Sequence, residues 1–122
     1  MSKRILIVDD EEDIVSLVRM ILEDAGYEVT SAATGKEALA LIKSTEYDLI
    51  LLDIMMPQIS GWEVLGELRS NTQTKNTPVA LLTARASPRD DNRPHPTDYC
   101  DYIIKPFEPE DLLTRVRQIL SA

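Results

Sequence analysis

The 122 residues carry 21 acidic against 13 basic side chains, a formal net charge of −8 that repels a phosphate backbone and argues against direct nucleic-acid binding. A hydrophobic fraction of 43% is that of a globular protein, and no apolar stretch approaches the ~20 residues of a bilayer span, so no membrane partner is expected. The length leads us to expect one domain over residues 1–122, with no output domain, and the lone cysteine, Cys100, excludes an internal disulfide.

Met-Ser-Lys-Arg leads straight into the apolar run Ile5-Leu6-Ile7-Val8, leaving no room for a signal peptide, so a cytoplasmic location is expected. Ile14, Leu17, Val18, Ile21 and Leu22 then recur at helical spacing, and Gly26 caps the helix. Tyr27 to Ala32 reads as a second, more polar strand, suited to a sheet edge. Thr34-Gly35-Lys36-Glu37 has the form of a capping box, followed by a helix that buries Ala38, Leu39, Leu41 and Ile42. The run Leu49-Ile50-Leu51-Leu52 ends on Asp53, and a loop containing Pro57 leads to a third helix with Val64, Leu65 and Leu68 on its apolar face. Gly61 weakens that helix, and Trp62 is expected to pack rather than bind.

Pro78 to Thr83 forms the fourth strand. A helix is expected to start at Ser87 with Pro88 in its first turn, but Pro94 and Pro96 cut it short, leaving one or two turns at most and otherwise irregular chain. His95, between two prolines, has no metal-ligand companion at helical spacing and reads as a loop residue. Tyr102-Ile103-Ile104 is the fifth strand, ending on Lys105, and Pro109 to Leu120 is an amphipathic helix.

Continuous Ile, Val and Leu runs separated by helical patterns describe a parallel sheet buried on both faces. The expected fold is therefore α/β, a single doubly wound five-stranded parallel sheet in the order 2-1-3-4-5, with five helices of which the fourth is short or irregular. Parallel strands end on the same side, so Asp9, Asp10, Asp53, Thr83 and Lys105 should converge at the carboxyl edge, and the gap between strands one and three is the switch point.

Three clustered carboxylates repel one another unless a cation joins them, and an all-oxygen set with room for water suits Mg²⁺. A lysine and a threonine facing such a metal fit a phosphoryl group. Asp is an established nucleophile toward phosphorus, and Asp53, central in the sheet, is the candidate.

Together, Ile-Leu-Ile-Val-Asp-Asp-Glu, Leu-Leu-Asp-Ile-Met-Met-Pro, Leu-Leu-Thr-Ala and Asp-Tyr-Ile-Ile-Lys-Pro-Phe resemble the response-regulator receiver domain of two-component signalling, of which the chemotaxis regulators are an example. The resemblance covers essentially the whole chain and implies a flavodoxin-like fold. It implies that Asp53 accepts a phosphoryl group from the phosphohistidine of a sensor histidine kinase or phosphotransfer protein, and that a downstream target protein or effector domain reads the result. Asp10 and Asp53 would bind Mg²⁺ by their carboxylates, Asp9 mostly through water, and Met55 by its backbone carbonyl. Lys105 would pair with a phosphoryl oxygen, and the Lys105-Pro106 bond would be cis. Thr83 and Tyr102 would form the switch that reshapes the face of helix four, strand five and helix five, a face that would also serve a homodimer.

The chain departs from the family's pattern where Asp98-Tyr99 stands in the usual Gly-Ala place and prolines bracket the fourth helix, so partner choice or dimerisation through that face is expected to be altered. Met55 and Arg85 occupy the positions that tune hydrolysis in the family, and slow autodephosphorylation is the expectation. Two other functions compete. A Mg²⁺-dependent phosphatase of the haloacid-dehalogenase type needs a second Asp two places after its nucleophile, where this chain has Met55, and an inert receiver-like module would usually lack an acid, the Thr or the Lys.

Overall fold

The computed structural model describes residues 2–56, 60–83 and 101–121. The strands are β1 (Arg4–Val8), β2 (Glu28–Ala32), β3 (Leu49–Asp53), β4 (Val79–Thr83) and β5 (Asp101–Ile104), and the helices α1 (Glu12–Asp24), α2 (Gly35–Ser44), α3 (Gly61–Ser70) and α4 (Pro109–Ser121). All the strand pairs are parallel, in the order β2-β1-β3-β4-β5 inferred from the apolar runs.

The helix count is corrected: the described residues hold four helices, not five, and α4 is the C-terminal one. The stretch 87–97, where the short fourth helix was expected, lies outside the described residues, as do Arg85, His95, Asp98-Tyr99 and Cys100. The expectation of five rested on strict alternation, but a parallel crossover requires only enough chain to return to the start of the sheet, and it sets no helix in that path.

Strand alternation divides the core into two layers. Leu6, Val8, Ile50, Leu52, Val79 and Leu81 face Ala38, Ile42, Val64, Leu65 and Leu68 of α2 and α3. Ile5, Ile7, Leu49, Leu51, Ala80, Leu82 and Ile103 face Val18 and Leu22 of α1 and Leu112 and Val116 of α4. Burying each such aliphatic side chain stabilises the fold by about 1.5–3 kcal/mol. Trp62 joins the first layer as a core residue.

Local signals end the helices as their residue types require. Gly26 adopts φ 96° after α1, its N–H donating to the Glu23 carbonyl at 3.0 Å while the Tyr27 N–H donates to the Leu22 carbonyl at 3.1 Å. That pair of bonds is a Schellman cap, which glycine adopts without a β-carbon penalty. The Thr34 hydroxyl accepts the Glu37 N–H at 3.1 Å at the start of α2. None of the helices among the described residues is long and apolar enough to cross a membrane.

Candidate functional site at the carboxyl edge of the sheet

The chain leaves β1 toward β2 on one side and returns as β3 on the other, which opens a crevice above β1 and β3. Register then sets the site. Val8 pairs with Leu52, so Asp9 and Asp53 stand side by side, and Thr83 pairs with Ile104, so Lys105 follows one step beyond. Backbone bonds continue past the strand ends: Asp9 N–H donates to Ala32 at 3.0 Å, Ile54 N–H to Leu82 at 3.3 Å and Lys105 N–H to Thr83 at 2.7 Å. The backbone under each of these side chains is therefore held by the ladder rather than by a free loop. The Lys105-Pro106 peptide is cis.

Asp9, Asp10 and Asp53 each bring a carboxylate oxygen within 4.8 Å of the others. Asp9 and Asp53 are buried, whereas Asp10 is exposed. Each buried carboxylate accepts the amide two residues on, Glu11 N–H donating to Asp9 Oδ1 and Met55 N–H to Asp53 Oδ1, both at 2.9 Å. These bonds aim the remaining oxygens, Asp9 Oδ2 and Asp53 Oδ2, into the crevice.

Lys105 Nζ lies 2.8 Å from Asp9 Oδ2, 3.1 Å from Glu11 Oε1 and 3.5 Å from Asp53 Oδ2. The contact with Asp9 is ionic but poorly directed, and Asp9 Oδ2 is left buried without a hydrogen-bond partner. One ammonium faces several carboxylates, so the cluster is short of positive charge. The Asp53 carboxyl is raised from 3.8 to about 6 in all: burial pushes it up most, Met55 N–H and Lys105 pull it down, and Asp9 and Asp10 push it up. Burial alone would lower the pKa of Lys105, but its contacts with Asp9, Asp53 and Glu11 hold it above the ordinary lysine value.

A buried carboxylate oxygen whose ammonium neighbour is shared with Glu11 and Asp53, clustered with two further acids, fits a hard divalent cation, and the oxygen-only donor set fits Mg²⁺. Thr83 is fully buried at the end of β4, one strand from Asp53. Tyr102 is partly exposed on β5, in register with Leu81, and lies away from the acid cluster. The Met55 side chain points to solvent, so its backbone is what the site uses.

Two contributors escaped the sequence reading. Glu11 contacts Lys105 across the sheet, a pairing between positions far apart in the chain that spacing does not reveal. In the sequence Gly61 reads only as a helix weakener, yet a β-carbon there would fall against the Asp53 carbonyl and 2.6 Å from Ile54 Cα. The one available signal was Ser60-Gly-Trp-Glu63, which has capping-box form; the Ser60 hydroxyl accepts Glu63 N–H at 3.4 Å and starts α3 directly after the site loop.

Residues 5–117 match the family described as "Response regulator receiver domain". The chain is 42% identical over 120 residues to the alkaline phosphatase synthesis transcriptional regulatory protein PhoP of Bacillus subtilis, covering 98% of this chain and 49% of that protein. It is 41% identical over 117 residues to the DNA-binding dual master transcriptional regulator RpaA of Synechocystis, covering 96% of this chain and 48% of that protein. The chain thus spans about half the length of these curated relatives. Among solved structures it resembles the chemotaxis response regulator CheY4 of Vibrio cholerae, with TM-score 0.90, 36% identity and coverage of 98% and 99% of the two chains. It also resembles the Thermotoga maritima response regulator TrrA in complex with Mg²⁺ and beryllofluoride, with TM-score 0.84, 41% identity and coverage of 96% and 98%.

Proposed function

Because the chain belongs to the response-regulator receiver family, we propose that it is a Mg²⁺-dependent phosphoacceptor whose Asp53 takes a phosphoryl group from the phosphohistidine of a sensor histidine kinase or phosphotransfer protein. The observation that carries this reading is the placement of Asp53: a buried carboxylate at the centre of the carboxyl edge, 3.5 Å from a lysine and clustered with two further acids.

Asp53 Oδ2 attacks phosphorus as the P–N bond to the donor imidazole breaks, the imidazole leaving with the bonding electron pair and then taking a proton. Met55 N–H, on Asp53 Oδ1, leaves Oδ2 free and correctly turned. Lys105 neutralises a phosphoryl oxygen, for which its ammonium is already at the site. Asp10 and Asp53 by their carboxylates, Asp9 mainly through water, and Met55 by its carbonyl would hold the metal. When bound, Mg²⁺ supplies positive charge that draws the acceptor and the phosphoryl oxygens together. Burial of Asp53 limits access of water to the product, which supports a slow loss of the phosphoryl group.

Thr83 is the sensing residue, its hydroxyl turning toward the phosphoryl group, and Tyr102, whose ring on β5 is partly exposed, follows it inward. The face that includes β5 and α4 then presents a changed surface to a target protein, to an effector domain or to a second copy of the chain. Residues 1–122 act as the receiver domain, in the cytoplasm, and the net charge of −8 disfavours direct contact with nucleic acid or anionic membrane.

The test is incubation with Mg²⁺ and a small acyl phosphate, followed by mass spectrometry. One added phosphoryl group, absent from Asp53→Asn and from protein treated with a chelator, is expected. Incorporation that persists in either control rules the reading out.

A further inference from the structure

At the start of α1 the chain breaks a local rule. Its N-cap is Glu11, a residue type not favoured there, and the side chain makes no capping bond. The caps of α2 and α3, Thr34 and Ser60, both make theirs. Glu11 instead places Oε1 3.1 Å from Lys105 Nζ, at the far end of β5, while its own amide orients Asp9. A position that forgoes a local bond for a distant one is where function is to be sought.

We infer that Glu11 is a positioning residue that holds the Lys105 ammonium toward β1 in the resting site and releases it when an anionic group arrives on Asp53. The inference rests on the phosphoacceptor reading above. Lys105 is closer to Asp9 and Glu11, at 2.8 and 3.1 Å, than to Asp53 at 3.5 Å. The Asp9 side chain is fully buried and cannot swing away from the ammonium into solvent. The Glu11 side chain is 58% exposed, so it can swing into solvent at small cost. Of the ammonium's two nearer partners it is the one able to leave.

The charge of Glu11 acts with opposite sign on the two ligands of the site. Beside Asp9 it attracts a divalent cation; beside Lys105 it repels an incoming anion and competes with it for the same ammonium. A helix-capping or merely structural role would not separate the two.

The experiment is calorimetric titration of the whole chain with Mg²⁺ alone, then with beryllofluoride at saturating Mg²⁺. Glu11→Gln is expected to weaken Mg²⁺ by about two- to five-fold and to tighten beryllofluoride by a similar factor, the range of an exposed ion pair. Glu11→Asp, one methylene too short to reach Lys105, is expected to keep Mg²⁺ affinity while still tightening beryllofluoride. Both ligands weakening together in Glu11→Gln, or neither changing, overturns the role of Glu11 alone. Failure of beryllofluoride to bind the unaltered protein overturns the phosphoacceptor reading, and this inference with it.

Discussion

Gly61 seats the first turn of α3 directly against the backbone of Asp53: a β-carbon at Gly61 would meet the Asp53 carbonyl and lie 2.6 Å from Ile54 Cα. Both obstacles are main-chain atoms anchored by β3 and by the bond from Ile54 N–H to Leu82, so they cannot rotate aside as a side chain would. Gly61→Ala is therefore expected to destabilise the fold by about 1–3 kcal/mol, the usual cost of overpacking. It should also weaken Mg²⁺ binding, because the displaced backbone carries Asp53 and Met55. Urea melts and a Mg²⁺ titration check both effects, and a variant unchanged in both would refute the close-packing argument.

Removing the ammonium leaves Asp9 and Asp53 buried without their cation. Lys105→Ala is expected to cost about 3 kcal/mol at pH 7 without metal, as breaking one side of a buried pair does. Saturating Mg²⁺ should return much of that loss, since the divalent charge takes over neutralisation. Melts with and without Mg²⁺ measure the difference.

The raised Asp53 pKa makes a signed prediction. Its carboxyl titrates near 3.8 when unfolded and at about 6 when folded, so between those values the native state holds more protons than the unfolded state. Stability contributed by this group is full below pH 3.8 and falls as pH rises to 6. Asp53→Asn removes the slope and is expected to be more stable at pH 7 by about 2–3 kcal/mol in the absence of metal. Urea melts of both proteins at pH 5 and pH 7.5 test this, and a gap that does not widen with pH contradicts it.

Thr83 is buried beside the site, but Asp53 does not need it to attack. Thr83→Ala is expected to accept a phosphoryl group at the Asp53 position while losing the movement of Tyr102. Mass spectrometry reads the first, and the Tyr102 ring signals in NMR, compared with and without beryllofluoride, read the second.

Much of this architecture was legible in the chain because its signals are local. Apolar runs of four residues report strands buried on both faces, the polar stretch from Tyr27 to Ala32 marks an edge strand, observed as Glu28–Ala32, and the residue that ends each run is the one the sheet presents at its carboxyl edge. Asp9, Asp10, Asp53, Thr83 and Lys105 follow such runs, which is why spacing alone puts them at that edge, and the oxygen-only set among them points to Mg²⁺.

The tertiary structure decided what depends on approach rather than on spacing. It brought Lys105 closer to Asp9 than to Asp53, made Glu11 a partner of Lys105 instead of a helix cap, and turned Gly61 from a weak helix residue into a required gap. It holds four helices among the described residues, and the stretch where the short fourth helix was expected lies outside them. Strand order and ligand type follow from hydrophobic periodicity and residue chemistry, which each segment carries within itself. The balance of charge around Asp53 does not, because it is a sum over side chains that only the folded sheet brings within a few ångströms of one another.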